Sequence, residues 1–81
     1  MHAGLRPGVP LHCQEPNDLT WIRSEFLECR ANFGCVVVHG HTITPQVDVR
    51  PNRIGIDTGA YWSDRLTCLV LWDGRRDFLQ T

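Results

Sequence analysis

The run Cys35-Val36-Val37-Val38 is the tightest constraint this chain places on its own fold. Consecutive β-branched residues without polar alternation read as a strand covered on both faces, so the run is expected at the centre of a sheet. It ends in His39-Gly40-His41-Thr42, with Pro45 close behind. The end of a buried strand is where α/β sheets gather ligands and reacting groups, and neutral imidazole is the commonest metal-binding side chain. A His-x-His pair alone does not separate a metal site from two hydrogen-bonded structural histidines.

The segments around this run set the fold class. The opening MHAGLRPGVPLHCQEP holds three prolines and two glycines without helical or strand periodicity, which predicts a loop; His12 is expected on its surface without a role. Glu15 as a cap, Pro16 at the first helical position and Asp18 in the first turn start a helix. Leu19, Ile22, Phe26 and Leu27 recur on one face, so the helix is expected over about residues 16 to 28. Strands are expected at Gln46 to Val49 and Arg53 to Asp57, joined as a hairpin by the Pro51-Asn52 turn. A second hairpin is expected from Arg65 to Trp72 and Arg75 to about Leu79, turned by Asp73-Gly74. One N-terminal helix and a mainly antiparallel set of strands make a single α/β unit over residues 1–81.

Composition narrows the function classes. No apolar run approaches the roughly 20 residues a membrane-spanning helix needs, and no membrane partner is expected. The eight basic residues, all arginine, are scattered rather than gathered in a stripe, which argues against nucleic-acid binding. Four cysteines without a Cys-x-x-Cys pair or signal peptide point to reduced thiols in cytoplasm rather than to a disulfide framework or zinc ribbon.

Four separated stretches, HAGLRPGVPL, LTWIRSEFL, VVVHGHT and NRIGIDTGAYWSDRLTCLVL, together resemble the C-terminal third of the calcineurin-like metallophosphoesterases, in their bacterial serine/threonine protein phosphatase and diadenosine tetraphosphatase branch. The resemblance runs from His2 to about Leu79. It implies the C-terminal part of a four-layer α/β/β/α sandwich, with two divalent ions (manganese, iron or zinc) and a phosphoester or phosphoprotein substrate. It also implies His2 and His41 as metal ligands and Arg23, in Trp21-Ile22-Arg23, as the phosphate-binding residue. His39 falls outside the ligand position and is expected to orient a ligand from behind. Asp57, in Asp57-Thr58-Gly59-Ala60, is expected to hydrogen-bond nearby loops, and Arg6 to border the mouth of the site. Tyr61 and Trp62 are expected to pack rather than to line a substrate groove.

The chain contains no Asp-x-His and no Gly-Asn-His-Glu, the motifs that in this family hold the remaining ligands. Met1 stands directly before the first candidate ligand, so an N-terminal truncation is expected. Without its other half such a piece exposes apolar surface and a strand edge, which predicts a homo-oligomer or a partner chain covering the sheet. Two further readings stay open: a noncatalytic interaction module or degenerate remnant, and a small metal-binding protein using His39, His41 and a cysteine such as Cys35.

Overall fold

Pro16 and Asp18 begin a helix where the sequence places one, but it does not run through to residue 28. In the computed structural model, which describes residues 1–81, α1 spans Pro16–Trp21 and α2 spans Ser24–Leu27. Ile22 (φ −58°, ψ 144°) and Arg23 (φ −129°, ψ −105°) break it. A continuing helix would give the carbonyl of Leu19 to the N–H of residue 23. That carbonyl instead accepts from Ala3 N at 2.8 Å, so the N-terminal segment takes the bond that would have extended the helix. Glu15 occupies the cap position but makes no side-chain cap hydrogen bond.

The break costs the apolar face little. Ile22 and Phe26 are buried and pack with Ala3, Leu5 and Val37, while Leu19, Leu27 and Phe33 lean on this cluster. Phe26 is its centre: the ring is fully buried, stacks on Phe33 at 5.7 Å and meets the edge of His39 at 5.0 Å. Gly4 makes this possible, since a Cβ there would stand only 2.5 Å from Phe26 Cγ. The opening loop is therefore a core segment for part of its length, followed by a 3-10 turn at Leu11–Cys13.

Three strands form the main sheet: β1 (Val37–His39), β2 (Asp48–Val49) and β3 (Arg53–Gly55), in the order β1-β3-β2. β1 runs parallel to β3, with Val37 opposite Arg53 and His39 opposite Gly55. β2 and β3 pair antiparallel, as expected of the hairpin around Pro51-Asn52. The β-branched run is not the centre of the sheet; β3 is, with all three of its residues buried. Cys35 and Val36 lie outside β1 and are exposed. Pairing begins only at Val37, whose N–H donates to Asn52 O at 3.1 Å. Asn52 is itself fixed by its side-chain amide donating to Cys29 O and Ala31 O, at 2.8 and 3.0 Å. A run of valines sets strand propensity but not where its partner starts.

After β3, a short α3 (Ala60–Ser63) follows Gly59, whose φ of 71° lies in the left-handed region that glycine tolerates. The chain then closes in a second, two-stranded sheet, β4 (Thr67–Trp72) and β5 (Arg75–Gln80). Asp73 and Gly74 both have positive φ, 48° and 74°, the requirement of a type I′ turn. All four cysteines are free thiols, and no helix is long and apolar enough to cross a membrane.

Candidate functional site

The end of β1 and the N-terminal residues meet. Gly40 N donates to His2 O at 2.7 Å, and the amine of Met1 donates to Val38 O at 3.1 Å. These bonds bring together residues about forty positions apart, so that the rings of His2 and His41 lie 5.0 Å apart in an edge-on arrangement. Trp21, the last residue of α1, meets the ring of His41 edge-on at 5.5 Å.

Backbone geometry separates His41 from His39. Along a strand, residues i and i+2 share a face, but β1 stops at His39 and His41 adopts φ 67°. His39 turns into the core, 2% exposed. Its Nε2 lies 3.1 Å from Arg53 Nη1 and its Nδ1 lies 3.2 Å from Gly40 O. The guanidinium can only donate, so Nε2 accepts and Nδ1 carries the proton donated to the carbonyl. Burial holds this imidazole below its usual pKa, with Arg53 acting in the same direction and the Gly40 hydrogen bond opposing. Both nitrogens are in use, which takes His39 out of any ligand set and with it the His39–His41–Cys35 metal site. Its role is to join β1 to Arg53, which in turn pairs with Asp48 at 3.0 Å.

His41 has the opposite environment. Its Nε2 is covered by protein yet has no hydrogen-bond partner. Burial pushes its pKa down, followed by the positive charge of Arg23 and by His2, against the opposing carboxylate of Asp57. A neutral imidazole with a spare nitrogen is the form that binds a metal ion. Arg23 sits at the helix break, exposed, and its guanidinium makes neither a hydrogen bond nor an ion pair.

Asp57 stabilises the following turn by accepting from Gly59 N at 3.1 Å, and its backbone carbonyl accepts from Thr44 N at 3.0 Å. It also lines a cleft of about 490 Å³ with His2, His41, Ile56, Arg65 and Leu66. Arg65 also lines this cleft; an arginine within a β-rich run carries no sequence signal of its own. Arg6 is engaged elsewhere: it forms a forked pair with Asp18, at 2.7 and 3.2 Å, and reaches Glu25 at 3.3 Å. That bonding raises the guanidinium pKa and lowers the Asp18 carboxyl. Tyr61 and Trp62 are exposed rather than packed, 84% and 66%, because α3 is one turn long and nothing covers it.

The residues present fit a metal ion in part. His41 Nε2 and the His2 ring are donors for which the protein offers no competing partner of their own, whereas no three His, Cys, Asp or Glu side chains converge into a cage. Comparison with family models, curated proteins and solved structures returns no match for this chain. What the fold and site define is thus a small α/β unit whose β1 terminus carries two imidazoles, with the unpaired guanidiniums of Arg23 and Arg65 and the Asp57 carboxylate nearby.

Proposed function

We propose that this chain is the C-terminal segment of a metal-dependent phosphoesterase of the calcineurin-like type, acting in the cytoplasm, with His2 and His41 as two of its metal ligands. The observation that carries this reading is the unpartnered Nε2 of His41 beside the His2 ring and the free Arg23. Those three side chains come from three separate segments, each matching a different motif of the resemblance. A divalent ion held by His2 and His41 would supply Lewis acidity and activate a water for attack at phosphorus. Arg23 binds a phosphoryl oxygen with a planar, always-charged donor fork and offsets charge that builds up during attack. His39 fixes the end of the strand on which His41 turns, and Asp57 holds the opposite loop and lowers the cost of positive charge in the cleft. No third His, Cys, Asp or Glu side chain converges with the two histidines, so this chain is expected to bind metal weakly and to turn over little.

The second reading, a noncatalytic interaction module, is favoured by the exposed β4–β5 hairpin. Both readings are tested by bound manganese per chain and by p-nitrophenyl phosphate hydrolysis, each repeated with His41→Ala and His2→Ala. Binding that disappears in both variants supports the phosphoesterase segment, with or without turnover. Absence of binding and turnover in the parent chain leaves the interaction module.

A further inference from the structure

Three of the eight arginines are drawn at least partly out of water: Arg6, Arg53 and Arg65. A charge withdrawn from water is costly unless an opposite charge or an acceptor meets it. Arg6 has Asp18 at 2.7 Å and Arg53 has Asp48 at 3.0 Å. Arg65 has no such partner, because its hydrogen bonds are made by its backbone alone. Its N–H donates to Ser63 Oγ at 3.1 Å and its carbonyl accepts from Thr58 Oγ1 at 2.7 Å. The Thr58 hydroxyl in turn meets Thr67 Oγ1 at 2.8 Å, and both threonines are buried. The main chain of Arg65 is thus held fast while its cationic head is left unpaired, which lowers the ordering cost of binding a ligand through that head.

Arg65 is the one arginine that lines the cleft shared with His2 and His41; Arg23 stands outside the lining. The one carboxylate in that lining, Asp57, is not spent on Arg65. Its Oδ1 accepts from Gly59 N at 3.1 Å, and its Oδ2 lies beside Gly40, where a Cβ would stand 3.7 Å away. Val38, Ile56, Ala60 and Leu66 give the cleft an apolar share of its wall. Its volume of about 490 Å³ is that of a site for a small organic molecule, larger than a phosphoryl group alone requires.

We propose that Arg65 binds a second anionic group, a carboxylate or a phosphate carried on the organic part of the phosphoester whose scissile phosphoryl group lies at His2, His41 and Arg23. The assignment of the phosphoryl end rests on the phosphoesterase reading above. The guanidinium fork matches either anion, and the apolar wall covers the short carbon linker between the two charged ends. Arg65 is therefore a residue of substrate selection: it favours phosphoesters with a second negative charge over those with a neutral remainder.

Isothermal titration calorimetry of the full chain, in a fixed excess of manganese, tests this with three probes. Ethyl phosphate has no second anionic group, phosphoglycolate carries a carboxylate there, and ethylene glycol bisphosphate carries a phosphate. At least one of the latter two is expected to bind about tenfold tighter than ethyl phosphate or better, and the one with the larger preference identifies the second group. Arg65→Gln is expected to abolish the preference without changing far-UV circular dichroism, since the side chain makes no bond within the protein. Arg76→Gln, which removes the same charge from an exposed position on β5, is expected to leave it intact. His41→Ala is expected to weaken all three probes alike. Equal affinities in the parent chain, no binding of any probe, a preference that survives Arg65→Gln, or one lost equally with Arg76→Gln each overturn the inference. Affinities unchanged by His41→Ala, with the preference still dependent on Arg65, would instead strike the phosphoesterase reading and leave Arg65 as the anion-binding residue of the cleft.

Discussion

Replacing Asp48 by Asn tests whether the buried link from β2 to His39 holds the histidine strand in place. The Arg53 side chain is 5% exposed and has one carboxylate counter-ion, Asp48, 3.0 Å from Nη2. Its Nη1 is spent on His39 Nε2 at 3.1 Å. Asparagine keeps the shape and one acceptor but removes the charge, leaving a guanidinium in the sheet interior without compensation. Removing one partner of a fully buried pair costs about 3–5 kcal/mol. Asp48 keeps 22% of its side chain in water and also binds Arg50 at 2.8 Å, so the expected cost is smaller, about 2 kcal/mol. For a chain of 81 residues with a total stability of about 4–12 kcal/mol, that is a large fraction.

Urea unfolding at pH 7, followed by far-UV circular dichroism, reads this as a lower midpoint at unchanged slope. The charge argument makes a second, sharper demand. Adding Arg53→Met to Asp48→Asn is expected to recover stability, because it removes the charge that the first change left unpaired. A single variant within about 0.5 kcal/mol of the parent, or a double variant less stable than Asp48→Asn, would refute the account of His39 as a residue held by a charged link.

The same pair predicts a pH dependence. Hydrogen bonding by Arg50, with Arg53 adding to it, lowers the Asp48 carboxyl below its ordinary 3.8. A depressed carboxyl contributes stability that is present above the unfolded value and lost as pH falls through the folded one. The gap in urea midpoint between parent and Asp48→Asn is therefore expected to stay constant above about pH 4 and to close below it. Gly4→Ala is expected to destabilise by about 1–3 kcal/mol or more, because its methyl meets the buried ring of Phe26; Phe26→Leu in the same chain should recover part of the loss. His41→Gly should be at least as stable as His41→Ala, the reverse of the usual order, because φ 67° strains alanine and not glycine; a more stable alanine variant would place the strain elsewhere.

The parts of the fold that were legible in the sequence are those fixed by neighbouring residues. Asp73-Gly74 and Pro51-Asn52 name their own turns, and the strands beside them pair as those turns require. What was not legible depends on segments far apart in the chain. The apolar spacing of Leu19, Ile22, Phe26 and Leu27 is continuous through the helix break, because the cause is Ala3 N reaching Leu19 O. Arg53 at the centre of the sheet has no sequence signal either, since its burial is made tolerable by Asp48 and His39 on the two flanking strands. Of the site, the motif residues Trp21, His2 and His41 do come together, whereas Arg6 is drawn away by Asp18, an acid that the sequence reading had assigned to the helix dipole alone.

Two histidines one residue apart in sequence thus end in unlike surroundings, and the reason is one backbone torsion. Had β1 continued, His41 would share the face of His39 and meet the core beside Phe26 and Arg53. The left-handed turn at His41 costs of order 1 kcal/mol for a residue with a Cβ, and nothing on the core side repays it, because His41 Nε2 has no partner. The fold thus places a left-handed torsion and a nitrogen without a protein partner at one residue, while its neighbour two positions earlier is fully bonded. The proposed ligand role accommodates both, with the His41 ring 5.0 Å from that of His2, so that proposal rests on His41 and not on the pair.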